Sequence, residues 1–281
     1  MNKIFQLPFA LSMGPQRAGT SWIDKYLRYR KDVCLPRDVK ETFFFDRYHE
    51  KGMEYYAGLF YPNDKHQILM EVSASYFDCR QAPGRIYNSV GPVIKLICPL
   101  RDPVERSYSL YKHYLRYGVV QGSLAQAAEQ NPQIIESSFY ERHLRNWGQY
   151  FDLGKITYLF QEELERDPQS FAKKLCDGLG VSFSGLDEQS TKVVNQATQS
   201  PSKTLAICAQ AGGDWCRAKG LYWPINLAKQ LGIKRAVFGR EDETRQKTLI
   251  PEEDKLFLER RLSGEKDKLE ALLGKKIEFW D

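Results

Sequence analysis

The tightest constraint on the fold is an alternation along the chain. Short apolar runs at residues 9–13, 67–72, 93–99 and 156–160 are separated by amphipathic stretches at 20–29, 103–117, 139–151, 170–179 and 252–262. Apolar runs this short suit strands buried on both faces, and three of them are rich in branched or aromatic residues. The helical periodicity between them suits helices laid over a sheet. The pattern predicts an α/β fold with a central parallel sheet flanked by helices. A length of 281 residues can bury one sizeable core. No repeat, low-complexity tract or Pro/Gly-rich linker divides it, so one domain over 1–281 is expected. The 103–117 helix has the clearest local signals: Asp102 as cap, Pro103 in the first turn, and Val104, Tyr108, Tyr111 and Leu115 at helical spacing. From 182 to 245 the pattern is irregular, with Gly212, Gly213, Gly220 and Pro224, and long loops are expected there.

Charge narrows the partners. The formal net charge is +5, but basic residues are scattered from Lys3 to Lys276 without a run that reads as a nucleic-acid tail. A small polyanionic ligand is compatible with that balance, and so is a mixed solvated surface. The apolar stretch at 4–13 is interrupted by Gln6 and Pro8 and lacks the features of a signal peptide. No stretch has the apolar length of a membrane span. The expectation is a cytoplasmic protein with no membrane and no nucleic-acid partner. The six cysteines have no zinc-type spacing and are expected to be reduced thiols, with Cys208 and Cys216 the pair to check for a bond.

The first strand runs into Gly14-Pro15-Gln16-Arg17-Ala18-Gly19-Thr20-Ser21-Trp22 and then a helix. Glycines let the backbone turn tightly and approach a ligand, and the N–H groups opening a helix face an anion with the dipole in its favour. Thr20 and Ser21 add hydroxyls and Arg17 a permanent cation. A tight strand-to-helix turn would use the same glycines. The G-x-x-x-x-G spacing matches the start of a Walker loop, but Thr20 stands where that loop has its lysine. This argues against a nucleotide kinase or triphosphatase, whose test would be magnesium-dependent ATP turnover. A second candidate anchor follows the 93–99 strand: Arg101 at the strand's carboxyl end, and Ser109 eight residues further on, about two helical turns. An Asp–Pro helix start with a small helix serine is the structural alternative.

Together these segments resemble the PAPS-dependent sulfotransferases (PAPS, 3′-phosphoadenosine 5′-phosphosulfate), in the form seen in the heparan-sulfate sulfotransferases. The resemblance implies a P-loop-like sulfotransferase fold with PAPS as co-substrate, PAP as product and no metal. By it, residues 14–22 resemble the family's 5′-phosphosulfate loop. Arg17, Ala18, Gly19, Thr20 and Ser21 would hold the 5′-phosphosulfate and Trp22 would stack on adenine. Arg17 stands where the family usually has a catalytic lysine; it keeps the cation and changes the donor geometry. Arg101 and Ser109 are similar to the family's 3′-phosphate pair. Arg217, Lys219 and Gly220 resemble the C-terminal loop that closes on that phosphate.

Val39-Lys40-Glu41-Thr42-Phe43-Phe44-Phe45-Asp46 looks like the family's Glu-x-x-Phe-Phe stretch, which would make Glu41 the catalytic base; a solvated glutamate beside a core-facing Phe run is the alternative. Glu71-Val72-Ser73 resembles a segment where a lysine usually follows the glutamate, so Val72 removes a cation for which Lys40 is a candidate substitute. His49, His66, His113 and His143 read as surface or packing residues. The expected activity is sulfuryl transfer from PAPS to a hydroxyl or amine of a small-molecule acceptor, in the tailoring of secondary metabolites, by a monomer or homodimer. A carbohydrate sulfotransferase and a PAP(S)-binding protein without catalysis are the alternatives.

Overall fold

In the computed structural model, which describes residues 7–186, 197–198, 241–242 and 249–280, five parallel strands form the central sheet. They are β1 (Phe9–Ser12), β2 (Val33–Cys34), β3 (Ile68–Val72), β4 (Lys95–Leu100) and β5 (Thr157–Phe160), in the spatial order β2-β3-β1-β4-β5. The chain leaves β1 toward β2 and β3 on one side, then crosses back to β4 and β5 on the other. The order therefore reverses between β1 and β4, where the loops beyond their carboxyl ends frame a crevice.

Helices cover both faces: α1 (Thr20–Arg28), α2 (Gly52–Ala57), α3 (Ala82–Val90), α4 (Pro103–Arg116), α5 (Leu124–Gln130), α6 (Gln133–Glu136), α7 (Tyr140–Trp147), α8 (Gln161–Arg166), α9 (Pro168–Leu179), α10 (Glu252–Arg261) and α11 (Glu265–Leu273). The two-residue alternation of each strand divides the core. Phe9, Leu11, Leu69, Leu96, Cys98 and Leu100 pack with Tyr56, Ile86, Leu144, Trp147 and Leu269 on one face. Ala10, Ile68, Met70, Val72, Ile97 and Leu159 pack with Trp22, Ile23, Phe171 and Leu175 on the other. Trp147 is wholly buried and donates from Nε1 to the Phe77 carbonyl at 3.0 Å. Burying an aromatic side chain of this kind contributes roughly 2–3 kcal/mol. A third cluster joins Tyr108 and Tyr111 of α4 to Leu124, Ile134, Leu258 and Leu262.

The expected elements are present with shifted ends. The 93–99 strand begins at Lys95, because pairing with β1 starts there (Ala10 against Lys95) and Val93 is 92% exposed. The 139–151 helix ends at Trp147, and a tight turn carries the chain to Phe151, whose N–H donates to the Trp147 carbonyl at 3.0 Å. The 170–179 helix starts earlier, at Pro168, where the Asp167 side chain accepts from the Ser170 N–H at 3.0 Å. Asp102 caps α4 as expected, accepting from the Glu105 N–H at 2.8 Å.

Most of 182–245 lies outside the described residues. Within it, β6 (Ala197–Thr198) and β7 (Glu241–Asp242) form a short antiparallel pair in a region expected to be loop. Cys208 and Cys216 also lie outside, and Cys34, Cys79, Cys98 and Cys176 are free thiols. Among the described residues no helix is long and apolar enough to cross a membrane.

Candidate functional site

The β1–α1 loop folds back tightly over the end of β3. Gly14 has φ +92, and a Cβ there would lie 2.8 Å from the Ala74 carbonyl oxygen, so the approach requires glycine. Gly19, at φ +95, opens α1 and accepts through its carbonyl from the Trp22 and Ile23 N–H groups. Between them Arg17 adopts φ 69, a left-handed conformation uncommon for a residue with a side chain. Such strain persists where surrounding structure enforces it, and it gathers at functional sites. It turns the exposed Arg17 side chain across the crevice between β1 and β4.

There Arg17 meets the second anchor. Its Nε donates to Ser109 Oγ at 3.0 Å, joining two motifs ninety-two positions apart. Arg101, just past β4, is held by an ion pair to Glu105 at 2.8 Å and by the Tyr140 hydroxyl, which donates to its carbonyl at 2.7 Å. Its Nε is buried with no partner among the described residues. An unpaired, desolvated guanidinium donor is costly, and an anion at this end of the crevice would satisfy it.

The C-terminal segment braces the same corner. Trp280 Nε1 donates to Glu162 Oε2 at 3.1 Å, and Glu162 Oε1 accepts from the Asp102 N–H at 2.8 Å. Arg106, in the same motif as Arg101, points elsewhere: it is fully buried and donates to Ser138 Oγ at 2.5 Å and to the Ile134 carbonyl at 2.8 Å. Its work is to pin α4 to α6 and to the turn that follows it.

The loop after β2 supplies the acidic group. Glu41 pairs with Lys40 at 3.0 Å, with side chains 19% and 29% exposed. The Lys40 amine also lies 3.4 Å from both Thr20 Oγ1 and Ser21 Oγ. Glu41 therefore stands beside the start of α1 rather than out on a solvated face. The loop is fixed from below by Glu71, which is fully buried. Glu71 Oε1 accepts from Thr42 N (3.2 Å), Thr42 Oγ1 (2.7 Å) and the Tyr76 hydroxyl (3.0 Å), and Oε2 accepts from the Tyr56 hydroxyl (2.5 Å). Burial outweighs the four donors and pushes the Glu71 pKa up to about 7.

Other expected residues fall differently. Trp22 is buried, stacked on Tyr26 at 5.1 Å with Phe171 at its edge, so much of the indole is packing surface. Val72 points into the sheet face that carries α1 and α9. Arg217, Lys219 and Gly220 lie outside the described residues. His113, read from sequence as a surface or packing residue, has its ring 4.6 Å from the Tyr117 ring, and its pKa is pushed down to about 4 by burial and then by the Arg17 and Arg116 guanidiniums. That places a neutral imidazole near the Arg17 end. Its position four residues after Ser109 on one helix was the available signal. Among the described residues no group of His, Cys, Asp and Glu could hold a metal ion.

The family model of the sulfotransferase domain matches residues 9–212. The chain belongs to the sulfotransferase family. Over 186 residues it is 34% identical to heparan sulfate glucosamine 3-O-sulfotransferase 3B1 of Mus musculus, a match covering 63% of this chain and 47% of that one. Over 200 residues it is 30% identical to the bifunctional heparan sulfate N-deacetylase/N-sulfotransferase 2 of Homo sapiens, covering 63% and 22%. The chain thus spans about half the length, or less, of these relatives. A solved sulfotransferase from Alicyclobacillus acidocaldarius aligns over 97% of this chain and 98% of its own with a TM-score of 0.66 at 18% identity, which bears out the P-loop-like sulfotransferase fold.

Proposed function

We propose that the chain is a PAPS-dependent sulfotransferase, and that the crevice between β1 and β4 is its donor site. The Arg17–Ser109 hydrogen bond carries this reading, because it brings the two anion cradles within reach of one adenosine nucleotide. Arg17, Ala18, Gly19, Thr20 and Ser21 hold the 5′-phosphosulfate. Arg101 and Ser109 hold the 3′-phosphate, and the family resemblance assigns Arg217, Lys219 and Gly220 to the same phosphate. Adenine lies beside Trp22. The 1–281 chain acts as one domain.

Glu41 takes the proton of the acceptor hydroxyl or amine as the acceptor atom bonds to sulfur. The bond from sulfur to the 5′-phosphate oxygen breaks in line, and its electron pair leaves with PAP. Arg17 stabilises that departing charge, and positioning with electrostatics supplies most of the rate, as in phosphoryl transfer. No metal is required by this scheme, since the donor is already activated.

The acceptor is a small soluble metabolite in the first reading, which goes with a cytoplasmic enzyme. The similarity to a heparan sulfate glucosamine 3-O-sulfotransferase favours a second, in which the acceptor is a glucosamine-containing carbohydrate. The test is incubation with PAPS and a panel holding both acceptor kinds, with PAP release as the signal. Glu41→Gln is expected to bind PAP and lose turnover by about 10²–10⁴-fold. Full turnover by that variant removes Glu41 as base, and failure of the unaltered protein to bind PAP removes the donor assignment.

A further inference from the structure

The ion pair between Lys40 and Glu41 joins the base to the phosphate cradle. The Lys40 amine is 3.0 Å from Glu41 Oε1 and 3.4 Å from the hydroxyls of Thr20 and Ser21, the first two residues of α1. An ammonium at a helix N-terminus faces the positive end of the dipole and is misplaced there unless an anion joins it. In the structure that anion is the Glu41 carboxylate. A phosphosulfate seated on Thr20 and Ser21 would bring more negative charge to the same point, with better access to the helix N–H groups. Val72, packed into the core, supplies no cation at this end, and Arg17 reaches across to Ser109.

We propose that Lys40 is a mobile cation of the donor site: it exchanges its pairing with Glu41 for the 5′-phosphosulfate when the donor binds. Donor binding then frees the Glu41 carboxylate to receive the acceptor proton. Turnover is thereby made conditional on an occupied cradle. This rests on the donor reading above and adds to it the residue that couples the two halves of the site.

The test is calorimetric titration of two nucleotides, PAP and adenosine 3′-phosphate, which lacks the 5′ group. Lys40→Gln is expected to weaken PAP about tenfold, the loss of one charge-assisted contact, and to leave adenosine 3′-phosphate within about twofold. Lys40→Arg is expected to keep most of the PAP affinity. Glu41→Gln removes the competing carboxylate, so it should tighten PAP about threefold when Lys40 is present and have no effect in the Lys40→Gln background. Unchanged PAP affinity in Lys40→Gln overturns the proposal, as does an equal loss for both nucleotides, which marks a general structural role. An effect of Glu41→Gln that is the same with and without Lys40 also overturns it. If the unaltered protein binds neither nucleotide, the donor reading itself fails and takes this proposal with it.

Discussion

Replacing Glu71 by glutamine should remove roughly 2.5 kcal/mol of the pH dependence of stability between pH 5 and 8. Glu71 is fully buried under the loop that carries Glu41, and its pKa of about 7 lies above the ordinary 4.5 because burial disfavours the charged form. The sign follows from linkage. A carboxyl raised in the folded state binds its proton more tightly there than in the unfolded chain, so its stabilising share is whole below pH 4.5 and is lost as pH rises through 7. A shift of this size corresponds to about 3 kcal/mol in full, of which roughly 2.5 kcal/mol falls between pH 5 and 8.

For a chain of this length that is a Tm decrease of about 5–10 °C. Glutamine is close in shape. Its carbonyl can take the place of Oε1 and accept from Thr42 and Tyr76, while its amide donates to the Tyr56 hydroxyl. Asp46, Asp78, Asp102 and Glu162 are also raised by burial, so the absolute pH profile is composite. The difference between the two proteins isolates Glu71. Thermal unfolding at pH 5, 6, 7 and 8 measures it, and parallel profiles for wild type and Glu71→Gln would refute the argument.

Other substitutions separate the parts of the site. Arg17→Ala should lower kcat by about 10²–10³-fold through loss of charge stabilisation in the transition state, read by PAP release under saturating donor. Ser109→Ala should weaken PAP by a few-fold to tenfold in calorimetry and leave unfolding unchanged, since it removes one hydroxyl from a half-buried position. Trp280→Phe takes away the donor to Glu162 and should cost about 1 kcal/mol in denaturant unfolding, with a weaker effect on donor affinity. Gly14→Ala should fold poorly or not at all, because the added carbon meets backbone at 2.8 Å and φ is +92; soluble yield and circular dichroism report it.

The sheet was legible because its strands are buried on both faces and so read as unbroken apolar runs. β2 escaped notice because two residues make no pattern; it is a strand only because Val33 and Cys34 pair with Ile68 and Leu69. α2, α3, α5 and α6 were missed for a similar reason, since each is short and depends on tertiary packing more than on its own periodicity. The two candidate anion-binding segments were legible because glycine spacing and an Arg–Ser separation are local. The Glu71 network was not, because Thr42, Tyr56 and Tyr76 come together only when β3 closes on the segment before α2. The role of Arg106 was hidden likewise, since nothing local distinguishes a buried guanidinium from one that meets a ligand.

The two departures from the family at charged positions, Arg17 and Val72, have one structural consequence between them. Strand alternation sends Glu71 to the face that carries α2 and Val72 to the face that carries α1, where it packs with Ala10, Ile97 and Ile23. A lysine at 72 would start from inside that core, beneath the phosphate loop. With valine there, the loop's underside is apolar and its positive charge comes from the sides: Arg17 from within the loop, fixed by Ser109, and Lys40 from the segment after β2, fixed by Glu41. Arg17 meets Ser109 of α4, and Lys40 also lies beside Thr20 and Ser21 of α1, so the proposed donor site is assembled by long-range contacts. In the proposed reading a donor that engages both contacts the β1 loop, α4 and the Glu41 segment, and the acceptor would meet Glu41 where those three elements converge.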